Sequence, residues 1–135
     1  MEASLELQKA IRARIIAASA VTTLVPIANI VDRNGTPATF PSIIIGEGQT
    51  LPGGDIARTR HDVALDLHIW QRETGLAFTK QVAGAIRDAL QDANWSATGL
   101  HVADLYVASS RFLRDPKGEH SHGILSLSAN VVEAA

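Results

Sequence analysis

The chain has 135 residues, no cysteine, and charges that nearly cancel to a formal net of −2. A single domain of this length buries roughly two thirds of its unfolded surface, and a pI near 6.2 gives no global nucleic-acid or membrane signature. The lack of cysteine excludes disulfides, cysteine nucleophiles and cysteine-ligated zinc or iron–sulfur sites.

Hydrophobic residues make up 46% of the chain but aromatics only 4%, so the core is expected to be Ala, Val, Ile and Leu. Such a core gains less area per residue than an aromatic one, which favours further burial by oligomerisation. Glu6, Lys9, Arg12 and Arg14 interrupt the apolar residues near the amino terminus. Neither a secretory signal nor a membrane span of about 20 apolar residues fits there, so a soluble protein used without export is expected. Residues 1–135 read as one domain.

In chain order, residues 4–20 predict a first helix. Ser4 is its candidate N-cap, and Leu7, Ile11, Ile15 and Ala18 form its apolar stripe. Pro26 forbids continuation, so the helix should end near residue 20 with a short turn or a further helical turn up to Val25. Residues 27–33 offer a short strand (Ile27, Ile30, Val31), followed by a tight turn at Asn34-Gly35. Ser42 to Gly46 is a β-branched run. Gly48 to Arg60 reads as a long loop or as the tip of an extended hairpin. The hairpin is preferred, because thirteen structureless residues in a compact domain are uncommon.

The clearest pair of elements follows. From His61 to Arg72, Val63, Leu65, Leu67 and Ile69 alternate with Ala64, Asp66, His68 and Trp70, predicting a strand with one core face and one open face. From Thr74 to Asn94 the period changes to that of a helix, with Leu76, Val82, Ala83, Ile86, Leu90 and Ala93 apolar and Lys80, Gln81, Arg87, Asp88, Gln91 and Asp92 on the other side. A linker of small residues, Trp95 to Gly99, comes next. Leu100 to Arg114 and His122 to Val132 then form a hairpin around Asp115-Pro116-Lys117-Gly118, with room for a bulge near Ala108-Ser109-Ser110. Leu125, Leu127, Ala129 and Val131 should face the core, and Ser126, Ser128 and Asn130 the other way. The expected class is α+β: a mostly antiparallel sheet with two helices packed on one face and a long C-terminal β-hairpin.

Chemistry is sparse. His120 and His122 have a spacing that puts both on one side of a strand, but a zinc site needs three or four ligands and only Glu119 lies close in sequence. Ser121 between them points to the opposite face. Gly46, Gly48, Gly53 and Gly54 match neither a dinucleotide loop nor a P-loop and read as turn residues. No catalytic, cofactor or metal residue is assigned. Arg58 and Arg60, on one side by alternation, form a small basic cluster that fits a solvated edge better than a phosphate site. Trp70 shares the open face with Asp66 and His68. A Trp there is either covered within the subunit or set in an interface.

In this order the elements resemble the tail terminator (tail-completion, head–tail joining) proteins of long, non-contractile-tailed phages and of gene transfer agents. The resemblance rests on the Leu5–Ile15 helix, the Ile30-Val31-Asp32 segment, Phe40-Pro41-Ser42-Ile43-Ile44-Ile45-Gly46, the Val63–Trp70 strand, the Val82–Leu90 helix, Arg111-Phe112-Leu113-Arg114-Asp115 and the His122–Leu127 strand. It spans nearly the whole chain through patterns of hydrophobicity and turns, with no catalytic signature.

The resemblance implies a structural virion protein rather than an enzyme, assembled in a bacterial cytoplasm and lodged at the tail/neck junction. Six copies would form a ring on the head-proximal end of the tail tube, touching the tube protein and a neck or stopper protein. DNA would pass through the channel unread. Candidate interface residues are Leu51, Arg58, Arg60, Asp66, His68 and Trp70. The rival readings are another neck or head-completion protein and, from a different class, a small metal-dependent enzyme using His120, His122 and a distant carboxylate.

Overall fold

A computed structural model describes residues 1–134. The elements are α1 (Ala3–Ala17), α2 (Ser19–Thr22), a 3-10 turn at Ile27–Asn29, β1 (Ile30–Asp32), β2 (Ser42–Pro52), β3 (Arg60–Gln71), α3 (Ala77–Ala89), β4 (Leu100–Arg114) and β5 (Ser121–Glu133). The strands form one five-stranded sheet in the order β1-β2-β3-β5-β4. Every pairing is antiparallel except β1 with β2.

β3 is central because both of its sides are paired along almost its whole length, from Ser42↔Trp70 to Pro52↔His61 on one side and Arg60↔Val132 to Gln71↔Ser121 on the other. Its alternation then decides the layers. Val63, Leu65, Leu67 and Ile69 are buried under α1 and α3, as are Leu125, Leu127, Ala129 and Val131 of β5. Leu7, Ile11 and Ile15 of α1 and Val82, Ala83 and Ile86 of α3 complete this core. Fully burying one such Leu or Ile stabilises the fold by about 1.5–3 kcal/mol. Among the described residues, no helix is long and apolar enough to cross a membrane.

Several boundaries differ from the sequence reading. Ser4 is not the N-cap of α1: Glu2 occupies that position, and its carboxylate accepts the Ser4 N–H at 3.2 Å. The first helix breaks at Ala18, which is extended, and resumes as the single turn α2. Ile27 lies in the 3-10 turn, not in a strand, and is half exposed. α3 is shorter than Thr74–Asn94, and Ala93 is exposed. The Arg14 guanidinium from α1 packs at its end and on the segment that follows. It donates to the carbonyls of Ala89, Asp92 and Asn94 and stacks 3.7 Å above the Trp95 ring, so a cation satisfies the terminal carbonyls. Trp95 is therefore half-buried packing and not a mere linker residue.

The 48–60 segment is the end of a hairpin. β2 and β3 stay paired to Pro52↔His61, and Asp55 organises the turn by accepting the Thr59 N–H (3.0 Å), the Thr59 hydroxyl (2.8 Å) and the Arg60 N–H (3.2 Å). Arg58 does not share strand alternation with Arg60. It sits in this turn with a φ of 57°. In the C-terminal hairpin the return strand starts at Ser121, and β4 carries the bulge near Ala108 plus a second one near Ala103.

Leu67→Ala should lower the unfolding free energy by about 2–5 kcal/mol in urea titrations. Ile56→Ala, in the Asp55 turn and 98% exposed, should change it by no more than about 0.5 kcal/mol. Equal losses in the two variants would contradict the core assigned to β3.

Candidate functional site

The face of the sheet away from the helices carries the chain's chemically distinctive side chains. Strand register arranges them in cross-sheet rows. Ser42, Trp70, His122 and Leu113 make one row; Ile44, His68, Ile124 and Arg111 make the next. Asp66, Ser126 and Ser109 follow. A bulge in β2 between Ile45 and Gly48 brings the Glu47 carboxylate to the same side, next to Asp66 and His68.

The centre is a three-ring stack. The rings of Trp70 and His122 lie 3.9 Å apart at 11°, and those of His122 and His68 lie 5.0 Å apart at 26°. His68 Nδ1 is 2.7 Å from His122 Nε2, and His68 Nε2 is 2.9 Å from Glu47 Oε1. One tautomer choice satisfies both contacts with neutral rings: His122 Nε2–H donates to His68 Nδ1, and His68 Nε2–H donates to Glu47. Burial, aided by the neighbouring His68 and Arg111, pushes the His122 pKa down to about 4. Glu47 is held below the usual carboxylate range by its own backbone N–H, then by His68 and Asp66. The His68 ring lies over Gly46, where a Cβ would come within 2.6 Å of the imidazole, so position 46 must be glycine for the ring to sit there.

Two grooves flank this stack and share Thr36, Trp70 and His122. One, of about 340 Å³, runs between the Asp32–Thr36 turn and Glu47; the other, of about 480 Å³, is bounded by Leu113, Arg114, Lys117 and His120. Glu47, Asp66 and His68 have ligand atoms within 4.8 Å of one another, a donor set of a kind that can hold a divalent cation. Here His68 Nε2 and Glu47 Oε1 are hydrogen-bonded to each other.

The His120/His122 pair does not converge. His120 Nδ1 bonds Asp115 Oδ2 at 3.0 Å across the turn and its ring stacks on Phe40 at 4.7 Å, whereas His122 turns to His68 and Trp70. The acidic partner of His120 is thus Asp115, not Glu119, and His120 is the first cause of the lowered pKa of Asp115. Ser121 is fully buried, with its hydroxyl unpartnered, in the row that includes Gly123 and Leu125, away from both imidazoles. That geometry supplies no nucleophile–base pair.

The six candidate interface residues fall into two groups. Asp66, His68 and Trp70 sit together on the open face, Trp70 half-buried against His122. Leu51, Arg58 and Arg60 line a shallow hollow of about 200 Å³ at the far end of the β2–β3 hairpin. Six steps along the strand, about 20 Å, separate Arg60 from Asp66. Sequence reasoning missed Glu47 and the His68–His122 contact. The first needs the bulge and the second needs β5 beside β3, and neither is encoded in local spacing.

These features describe a layered α+β domain whose open face is built for packing, and its fold recurs in phage-type particles. A chain of the "Virion of native gene transfer agent (GTA) particle" superposes with a TM-score of 0.79 at 20% identity, over 93% of this chain and 94% of that one. The gp17 protein of bacteriophage SPP1 superposes with a TM-score of 0.62 at 20% identity, over 96% and 91%. No curated protein matches in sequence. The family model of the tail completion protein gp17 matches residues 9–131, and the chain belongs to that family. It is therefore a structural tail-completion protein of phage or gene-transfer-agent virions.

The low pKa of His122 has a consequence for stability. Its folded value of about 4 lies below the ordinary 6.5, so the folded state resists a proton that the unfolded state accepts. The contribution is complete above pH 6.5, is lost as pH falls from 6.5 to 4, and is constant below that. His122→Phe keeps a stacking ring and removes the titration. Unfolding free energies measured from pH 7 to 4 should decline more steeply for the natural chain than for the variant, and parallel profiles would refute the assignment.

Proposed function

We propose that the protein forms a closed ring that caps the head-proximal end of a tail tube, ends tube growth and joins the tail to the neck while DNA passes through its channel. The observation that carries this reading is the tail-completion family match over residues 9–131. The sheet geometry supports it. A ring needs heterologous contacts, with two different surfaces on each subunit, and this fold presents unlike edges and an open face carrying a half-buried tryptophan. The chain acts as one domain, residues 1–135. Its partners are further copies of itself, six to a ring, the tail tube protein, and a neck or stopper protein. Leu51, Arg58 and Arg60 at the hairpin end and Asp66, His68 and Trp70 on the open face are the residues assigned to these contacts. Assembly takes place in the bacterial cytoplasm before the particle is complete.

Light scattering of the purified protein, alone and with purified tail tubes, should detect a stable multimer and tubes of fixed length. A protein that stays monomeric in both conditions refutes the ring. Trp70→Ala should leave a folded subunit whose assembly is weakened by about 2 kcal/mol or more, as for an interface hot spot. If Trp70→Ala unfolds the isolated subunit, the ring stack serves the fold and not the interface.

A further inference from the structure

Two carboxylates and an imidazole meet on the open face with no lysine or arginine to balance them. The β2 bulge sets Gly46 and Glu47 opposite the single residue Asp66 of β3, because Ile45 pairs with Leu67 and Gly48 with Leu65. A carboxylate oxygen of Glu47, one of Asp66 and a ring nitrogen of His68 thereby come within 4.8 Å of one another. Among the described residues, neither carboxylate forms an ion pair with Lys or Arg, and Glu47 is paired with His68.

We propose that Glu47, Asp66 and His68 hold a divalent cation of the zinc type, bound by one oxygen of each carboxylate and by His68 Nε2. The site belongs to the subunit itself and stands whether or not the subunits close into a ring. Three observations support it.

The first is the donor set. Two carboxylates match the charge of a divalent ion, and the imidazole favours zinc over calcium or magnesium. The second is spacing. His68 Nε2 and Glu47 Oε1 are 2.9 Å apart, whereas two ligands of one tetrahedral zinc ion lie about 3.3 Å apart. The hydrogen bond therefore opens by only about 0.4 Å when the ion takes the place of its proton. The Glu47 side chain is 69% exposed and free to make that shift.

The third is the way His68 is held. A Cβ at position 46 would stand 2.7 Å from His68 Nε2, so glycine there leaves the nitrogen uncovered. His68, Gly46 and Glu47 all line the groove of about 340 Å³, where water completes the coordination of the ion. On the other side of the ring, His68 Nδ1 lies 2.7 Å from His122 Nε2. An imidazole bound to a metal characteristically donates its second N–H to an outer partner that fixes the ring. His122 is that partner, and Trp70 stacked on it at 3.9 Å holds it in place. With the ion on Nε2, His68 carries its proton on Nδ1 and donates to His122 Nε2. Both rings stay neutral and only their tautomers change.

The test is calorimetric titration of the chelator-treated, dialysed natural chain with zinc chloride, which should bind one ion per chain. Glu47→Gln changes an exposed side chain and should weaken zinc affinity about tenfold or more. His122→Phe keeps a stacking ring, removes the outer acceptor and should also weaken it about tenfold or more. His68→Ala should abolish saturable binding. His120→Ala removes the other imidazole–carboxylate pair, with Asp115, and should leave the affinity unchanged. Circular dichroism of each variant checks that it is folded, and the exposed Glu47 position keeps the test decisive if His68→Ala unfolds. No saturable zinc binding by the natural chain overturns the site. So does binding that Glu47→Gln and His122→Phe leave intact, or that His120→Ala removes.

Discussion

The structure depends on β3 being paired on both sides while burying only one face. A central strand has no free backbone groups, so its register against β2 and β5 is held by two ladders at once. A shift of one residue would turn Val63, Leu65, Leu67 and Ile69 to the open side and bring Asp66, His68 and Trp70 into the core. That constraint places both helices on one face and leaves the other free. It also accounts for the composition, since the fully buried centre of the core is Ala, Val, Ile and Leu, and the aromatics Phe78, Trp95 and Phe112 pack only at its margin.

The open face is where polar chemistry accumulates, because nothing in the subunit demands that it be apolar. Trp70, His122, His68 and Glu47 form a continuous stacked and hydrogen-bonded run across β2, β3 and β5. Each imidazole in it has its near partner, and the arrangement rigidifies the surface rather than exposing a reactive group. Ser121 is sealed on the opposite side. His120 is held by Asp115 and Phe40.

The fold was legible where one periodicity runs without interruption. β3, the Leu125–Val131 face of β5 and the middle of α3 match their patterns because burial selects the same side chains that alternation marks. Element ends were less legible. Ser4 has the right chemistry for an N-cap, yet Glu2 takes the position because its carboxylate reaches the Ser4 N–H and hydroxyl and the Thr50 hydroxyl together. α3 stops before its pattern does, and Arg14 from another helix bonds the Ala89 carbonyl at its end and the Asp92 carbonyl beyond it. The long β2–β3 hairpin was readable in outline, but Arg58 was not, because a left-handed turn residue breaks the alternation that Arg60 begins.

By itself, the sequence determined the α+β class, the central strand with its two unlike faces, the C-terminal hairpin and the absence of cysteine chemistry. These follow from local periodicity, turn residues and composition, which act over a few positions. Only the tertiary structure decided that β5 lies beside β3, that a β2 bulge carries Glu47 to His68, and that His120 and His122 part company. Strand order and register join residues far apart in the chain, His68 and His122 being 54 positions apart. No pattern confined to a few positions carries that information.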